Sequence, residues 1–234
     1  MWTKVERLLV SAACLALVLT ASAGAASAQD KDFEFGLRLQ PQVTFTGAKG
    51  NLAEGNGARF GFAYGLFMDY NFAENYAVTT GIYHSLGGSK VRFTGLSDAQ
   101  AMAGITDSVH DHTYTWQMVE LPVAFKFSTE QIGYITYTVD LGLVNYLRVG
   151  QRAKDLDVGF DGDAVTDDKT DNINFFNVGI QAGFGIEYEL SDAVSILGGL
   201  RYKNGLINHI DDPAPWNDEK IAFHAILLST GVLF

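Results

Sequence analysis

The chain has 234 residues, 47% of them hydrophobic and 12% aromatic, and a net charge of −11. Such acidity excludes a nucleic-acid binder and a protein that meets anionic lipid through a basic patch. With one cysteine, Cys14, there is no disulfide framework, so packing or the surroundings must hold the fold together.

Residues 1–28 read as an export leader. Lys4 and Arg7 make a charged start, Leu8 to Leu19 an apolar stretch, and Ala26, Ser27 and Ala28 a small-residue cleavage site. The mature chain is expected to start at Gln29 and to form one domain, 29–234. Acylation at Cys14 is the competing reading; the serine three positions before it and the apolar run after it argue against that. Beyond the leader, no run approaches the ~20 apolar residues of a membrane helix.

From Asp32 onwards the apolar period is two, the period of a strand. Phe33, Phe35, Leu37, Leu39, Val43 and Phe45 share one face of the first strand. Phe60, Phe62, Tyr64, Leu66, Met68, Tyr70 and Phe72 do the same in the second. Six further strands are expected at 76–86, 114–127, 134–149, 175–190, 193–206 and 221–234. The connections alternate: long at about 47–59, 87–113, 150–174 and 207–220, and short at "AEN", "STEQIG" and "SD". An antiparallel meander places all the long loops at one end and both termini at the other, as transmembrane barrels do. A short helix capped by Ser97 is expected inside the second long loop.

Alternation alone fits a soluble lipocalin-like barrel equally well. Volume separates the two, because the apolar faces carry more bulk than the lumen of eight strands can hold. The opposite faces, rich in Gly, Ala, Ser and Thr, suit a polar interior. Aromatic residues also gather by height. Phe33, Phe35, Tyr70, Phe72, Tyr76, Phe125, Phe127, Tyr134, Tyr188 and Phe234 fall at the short-turn end. Phe45, Phe60, Phe62, Tyr114, Trp116, Phe175, Phe176 and Phe223 fall at the long-loop end. Two girdles around an aliphatic band are expected of a barrel that spans a bilayer. The fold expected is therefore all-β: an eight-stranded antiparallel up-and-down transmembrane β-barrel.

In the last strand Ile226, Leu228, Thr230, Val232 and Phe234 line the lipid face. This run resembles the carboxy-terminal signal that bacterial outer-membrane barrels present to their assembly machinery. On the inward face, Arg38, Glu120, Asp140 and Arg201 lie near mid-height, where unpaired ions would cost several kcal/mol each. They are expected to join in a hydrogen-bonded charge network that plugs the lumen; a gated polar path is the alternative.

Other candidates carry less. Asp155, Asp157, Asp161, Asp163, Asp167, Asp168 and Asp171 lack the spacing and closing glutamate of a calcium loop. His110 and His112 have no clear third ligand for a metal. His84 and Ser85 are strand neighbours that point to opposite faces, and no catalytic triad segment is present. Neither an enzyme, a cofactor nor a metal is expected.

Val119, Glu120, Leu121, Pro122, Val123 and Lys126, followed after a turn by Tyr137 and Gly142, resemble the central hairpin of the PorT-like "porin family" of small outer-membrane barrels. The resemblance implies a single barrel in the outer membrane of a Gram-negative bacterium, and it does not imply transport. Pro122, which has no backbone donor, is expected at a bulge. The expected role is a structural or interaction scaffold that displays four long extracellular loops over a closed lumen. Its expected partners are outer-membrane lipid, the barrel assembly machinery and a protein of the envelope or exterior. A small channel for ions or polar solutes is the alternative, and a soluble ligand binder comes third.

Overall fold

The computed structural model describes residues 32–49, 53–94, 109–155, 174–208 and 220–234. The leader, the Ser97 segment and the acidic run from Asp157 to Asp171 lie outside them. Eight strands close into a barrel in which each pairs antiparallel with its neighbours in sequence: β1 (Phe33–Lys49), β2 (Ala53–Ala73), β3 (Tyr76–Thr94), β4 (Val109–Ser128), β5 (Ile135–Asp155), β6 (Phe176–Ser191), β7 (Val194–Gly205) and β8 (Lys220–Leu233). The seam is the β1–β8 pair. At its end Phe234 and Phe35 exchange backbone hydrogen bonds of 2.8 and 3.2 Å, so the last residue is held in the wall.

The three connections expected to be short all lie at one end. Glu74 and Asn75 turn β2 into β3, and Asp192 and Ala193 turn β6 into β7. Between β4 and β5, Ile132 and Ile135 bond to each other's backbone, and Gly133 takes the left-handed conformation (φ 70°) that the turn requires.

At the other end the strands outrun their sequence signal. β1 continues to Lys49 and β2 resumes at Ala53, so the long loop expected at 47–59 is mostly strand, and three long connections remain instead of four. β3 likewise runs on to Thr94, and β5 to Asp155. The reason is physical. A barrel strand crosses the bilayer in about 9–11 residues, and the 21 residues of β2 exceed that. Above the membrane the outward face no longer needs to be apolar, as Lys90 and Arg92 show, so the alternation fades while the backbone ladder continues.

The two faces divide as the strand period requires. Phe35, Leu66, Phe125, Leu141, Phe184 and Leu228 stand exposed on the outside, whereas Arg38, Gln40, Asp69, Ser85, Glu120 and Asp140 are buried inside. Three of the expected upper-girdle residues are corrected. Tyr114, Trp116 and Phe223 are 1–3% exposed and point into the lumen. Counting along β4 from the outward Phe125 and Phe127 gives Trp116 and Tyr114 the opposite parity, as counting along β8 from Ile226 does for Phe223. Height alone had grouped them with the girdle.

Pro122 is a second correction. The β3–β4 register is the same on both sides of it (Thr80↔Val123 and Tyr83↔Glu120), so there is no bulge, only a gap in the ladder. The neighbouring carbonyls are satisfied by side chains of the outward face. The Thr80 hydroxyl donates to the Pro122 carbonyl at 2.9 Å, and the Asn145 amide donates to the Leu121 carbonyl at 3.3 Å. Water cannot replace these donors inside a bilayer. Thr80→Val and Asn145→Leu are each expected to cost about 1–3 kcal/mol, measured by equilibrium urea unfolding of the barrel from lipid vesicles.

Candidate functional site: the filled lumen

Arg38, Glu120, Asp140 and Arg201 all face inward, on β1, β4, β5 and β7. Only two of them meet. Arg201 grips Asp140 with Nε at 3.1–3.2 Å from both carboxylate oxygens and its terminal nitrogen at 3.0 Å from Oδ2; the other terminal nitrogen donates to Ser229 at 3.2 Å. Asp140 and Arg201 each pair in register with Gly183 on β6, which lies between them. A Cβ on Gly183 would lie 2.3 Å from Asp140 Oδ2, so this glycine is what lets the two side chains meet over the strand that separates them.

Glu120 pairs with Lys203, three strands away. Among the described residues Arg38 has no carboxylate partner. Its guanidinium lies 3.9 Å above the Phe67 ring and donates to the Tyr83 hydroxyl at 3.3 Å. A third ionic group lies outside the expected network: Lys126 bonds Asp69 at 2.7 Å and Glu187 at 2.5 Å, and Thr79 donates to the second oxygen of Asp69 at 2.6 Å. Lys126 pairs in register with Ala77, a small residue between β4 and Asp69. The parity that selects Arg38 selects Asp69, Lys126, Glu187 and Lys203 as well, so their inward face was legible. Their pairing depends on stagger across several strands, which alternation does not encode.

Above the charges the lumen holds an apolar cluster set among buried polar side chains such as Thr44, Thr46, Ser89 and Thr113. Val91, Tyr114, Trp116, Met118, Val144, Tyr146, Ile221 and Phe223 form one buried cluster. Phe223 meets Tyr146 edge to face at 4.8 Å and Trp116 at 6.2 Å. Gly87 leaves room for the indole, since a Cβ there would sit 2.6 Å from Trp116 Nε1. The expectation of a polar interior is thus corrected in part: beside those buried polar side chains the long-loop half holds an aromatic core, because large rings fill an eight-stranded lumen without the desolvation cost of ions.

At the short-turn mouth, a cavity of about 210 Å³ is lined by Glu34, Glu187, Glu189, Asp192 and Gln131, among others. Ser85 faces inward and accepts from Gln42 at 3.0 Å, whereas His84 faces outward beside Tyr64. They therefore form no nucleophile–base pair. His110 and His112 belong to β4, and their side chains are outside the described set.

The chain matches the family described as "Outer membrane protein beta-barrel domain" over residues 26–211. It belongs to that family. It is therefore an outer-membrane β-barrel protein, and the soluble ligand-binder reading falls. Among solved structures it is similar to OprG from Pseudomonas aeruginosa, with 14% identity, TM-score 0.46, and coverage of 86% of this chain and 95% of that one. Neisserial surface protein A is also 14% identical, with TM-score 0.42 and coverage of 84% and 95%. The outer membrane protease OmpT from Escherichia coli is 8% identical, with TM-score 0.44 and coverage of 90% and 99%. Among curated proteins, none matches significantly.

Replacing one member of a buried ion pair strands the other in the lumen, at a cost of about 3–5 kcal/mol. Arg201→Gln is expected to lose that much in urea unfolding from vesicles. Gly183→Ala, which pushes a methyl group into the same pair, should destabilise too. The double variant should lose less than the sum of the two, because both act on one contact.

Proposed function

We propose that this outer-membrane barrel is a structural and docking scaffold. Its lumen is closed, and the connections β3–β4, β5–β6 and β7–β8 form the surface offered to a protein partner of the envelope or the exterior. The observation that carries this reading is the filling of the lumen. The aromatic cluster around Trp116, Tyr146 and Phe223 occupies its long-loop half, and three ionic groups occupy the half beneath. Stacked in series, these groups set buried side chains across both halves of the lumen among the described residues.

Within the family, the run from Glu120 through Pro122 to Lys126 supports a place among the PorT-like barrels. The outward row of Ile226, Leu228, Thr230, Val232 and Phe234 supports recognition of the last strand by the assembly machinery, after export on a leader of residues 1–28. Among the described residues, no nucleophile with a partnered base supports an enzyme reading.

The test is single-channel recording of the refolded barrel in planar bilayers. No unitary current steps are expected from the wild type, Glu120→Gln or Arg201→Gln. Stable steps in the wild type that change in size with either substitution would make it a small channel for ions or polar solutes instead.

A further inference from the structure

Arg38 stands apart among the lumen cations. Lys126, Arg201 and Lys203 each hold a carboxylate, whereas Arg38, among the described residues, holds only a phenol and a ring face. The residue is 6% exposed, and its Nε is buried with no acceptor. Leaving a charged donor in that state costs more than leaving a neutral one.

Arg38 also lines a small cavity, together with Lys126, Arg201, Glu187, Thr138 and Ser229. The space exists because the wall beside it is built from glycine: Gly185 and Gly199 face each other across β6 and β7, and both border the cavity. Its volume is about 20 Å³, enough for one particle the size of water. Three cations and one carboxylate, Glu187, line it; behind the lining Asp140 holds Arg201, and Asp69 and Glu187 hold Lys126, so Arg38 is the one of the three cations without a carboxylate of its own among the described residues.

We propose that this cavity is a binding site for one small monovalent anion of the halide class, held against Arg38 and Arg201. Chloride is monatomic and only moderately larger than water, and it carries the counter-charge that Arg38 lacks. Inside a low-dielectric wall a cation gains far more from a counter-ion than from a neutral water. Polyatomic anions such as phosphate are too large for the space. Glu187 also lines the cavity at the short-turn mouth, so the anion enters from that end. The acidic mouth slows its exchange. A lumen that conducts nothing can still hold such an ion, so the site stands or falls independently of the scaffold reading.

The test is to fold the barrel in sodium bromide or in sodium gluconate at equal ionic strength, since gluconate cannot enter the cavity. Bromide should raise the unfolding midpoint in a concentration-dependent way, and crystals grown in bromide should show an anomalous peak beside Arg38. The shift should vanish in Arg38→Gln. It should vanish too in Gly185→Ala, whose Cβ would reach into the space at 3.0 Å from the Gly198 carbonyl and 3.1 Å from the Thr138 hydroxyl. Glu187→Gln should strengthen binding and move the bromide dependence to lower concentration. An equal midpoint in both salts would overturn the proposal and leave water in the cavity. A bromide effect that survives in Gly185→Ala would overturn it as well, placing the ion elsewhere. Should Arg38→Gln not fold, the Gly185 and Glu187 variants decide.

Discussion

A bilayer supplies no water to the peptide backbone, so each N–H and C=O inside it must be satisfied within the protein. The rest of this structure follows from that requirement. It forces the strands into a closed ring, makes the β1–β8 seam as necessary as any hairpin, and explains why Phe234 bonds Phe35 rather than fraying. It also explains the treatment of Pro122. A proline removes a donor from the ladder, and here the register does not slip, because Thr80 and Asn145 bring donors to the carbonyls around it from the lipid side. Two polar side chains facing hydrocarbon look like errors of patterning until their acceptors are known.

Closure creates a second problem, the inside of the ring. Eight strands enclose a space too narrow for a wet channel and too wide to leave empty. The chain solves this differently at its two ends, with rings under the long connections and ion pairs toward the short turns. Both solutions depend on what is absent from neighbouring strands. Trp116 fits because Gly87 has no side chain, and Arg201 reaches Asp140 because Gly183 has none. The glycines are therefore part of the packing, each one the negative of a large neighbour.

The architecture was legible because strand alternation is a local property. Residues 33–39 of β1 show at once which face is apolar, and eight such segments with alternating connections specify a meander. Local patterning also marks its own limit. The upper parts of β2, β3 and β5 escaped notice because the apolar rule lapses where the bilayer ends. Trp116 and Phe223 were misplaced where height was read without parity. Within the lumen, facing inward was readable for each charge, but partnership was not. Lys203 finds Glu120 three strands away, and Lys126 reaches past Ala77 to Asp69. Those meetings are set by strand tilt and stagger, which belong to the closed ring as a whole.

The seam has a consequence for how the chain comes to exist. Seven of the eight pairings join strands adjacent in sequence, and the eighth joins the first strand to the last. Until Phe234 has been synthesised and delivered, β1 has no partner on one side. Any prefix of the chain is a sheet with two raw edges, sticky towards other chains. The barrel therefore cannot close before β8 is available to pair with β1. A chain cut short anywhere before β8 keeps its edges and cannot close, so the geometry tells finished from unfinished copies without a separate inspector.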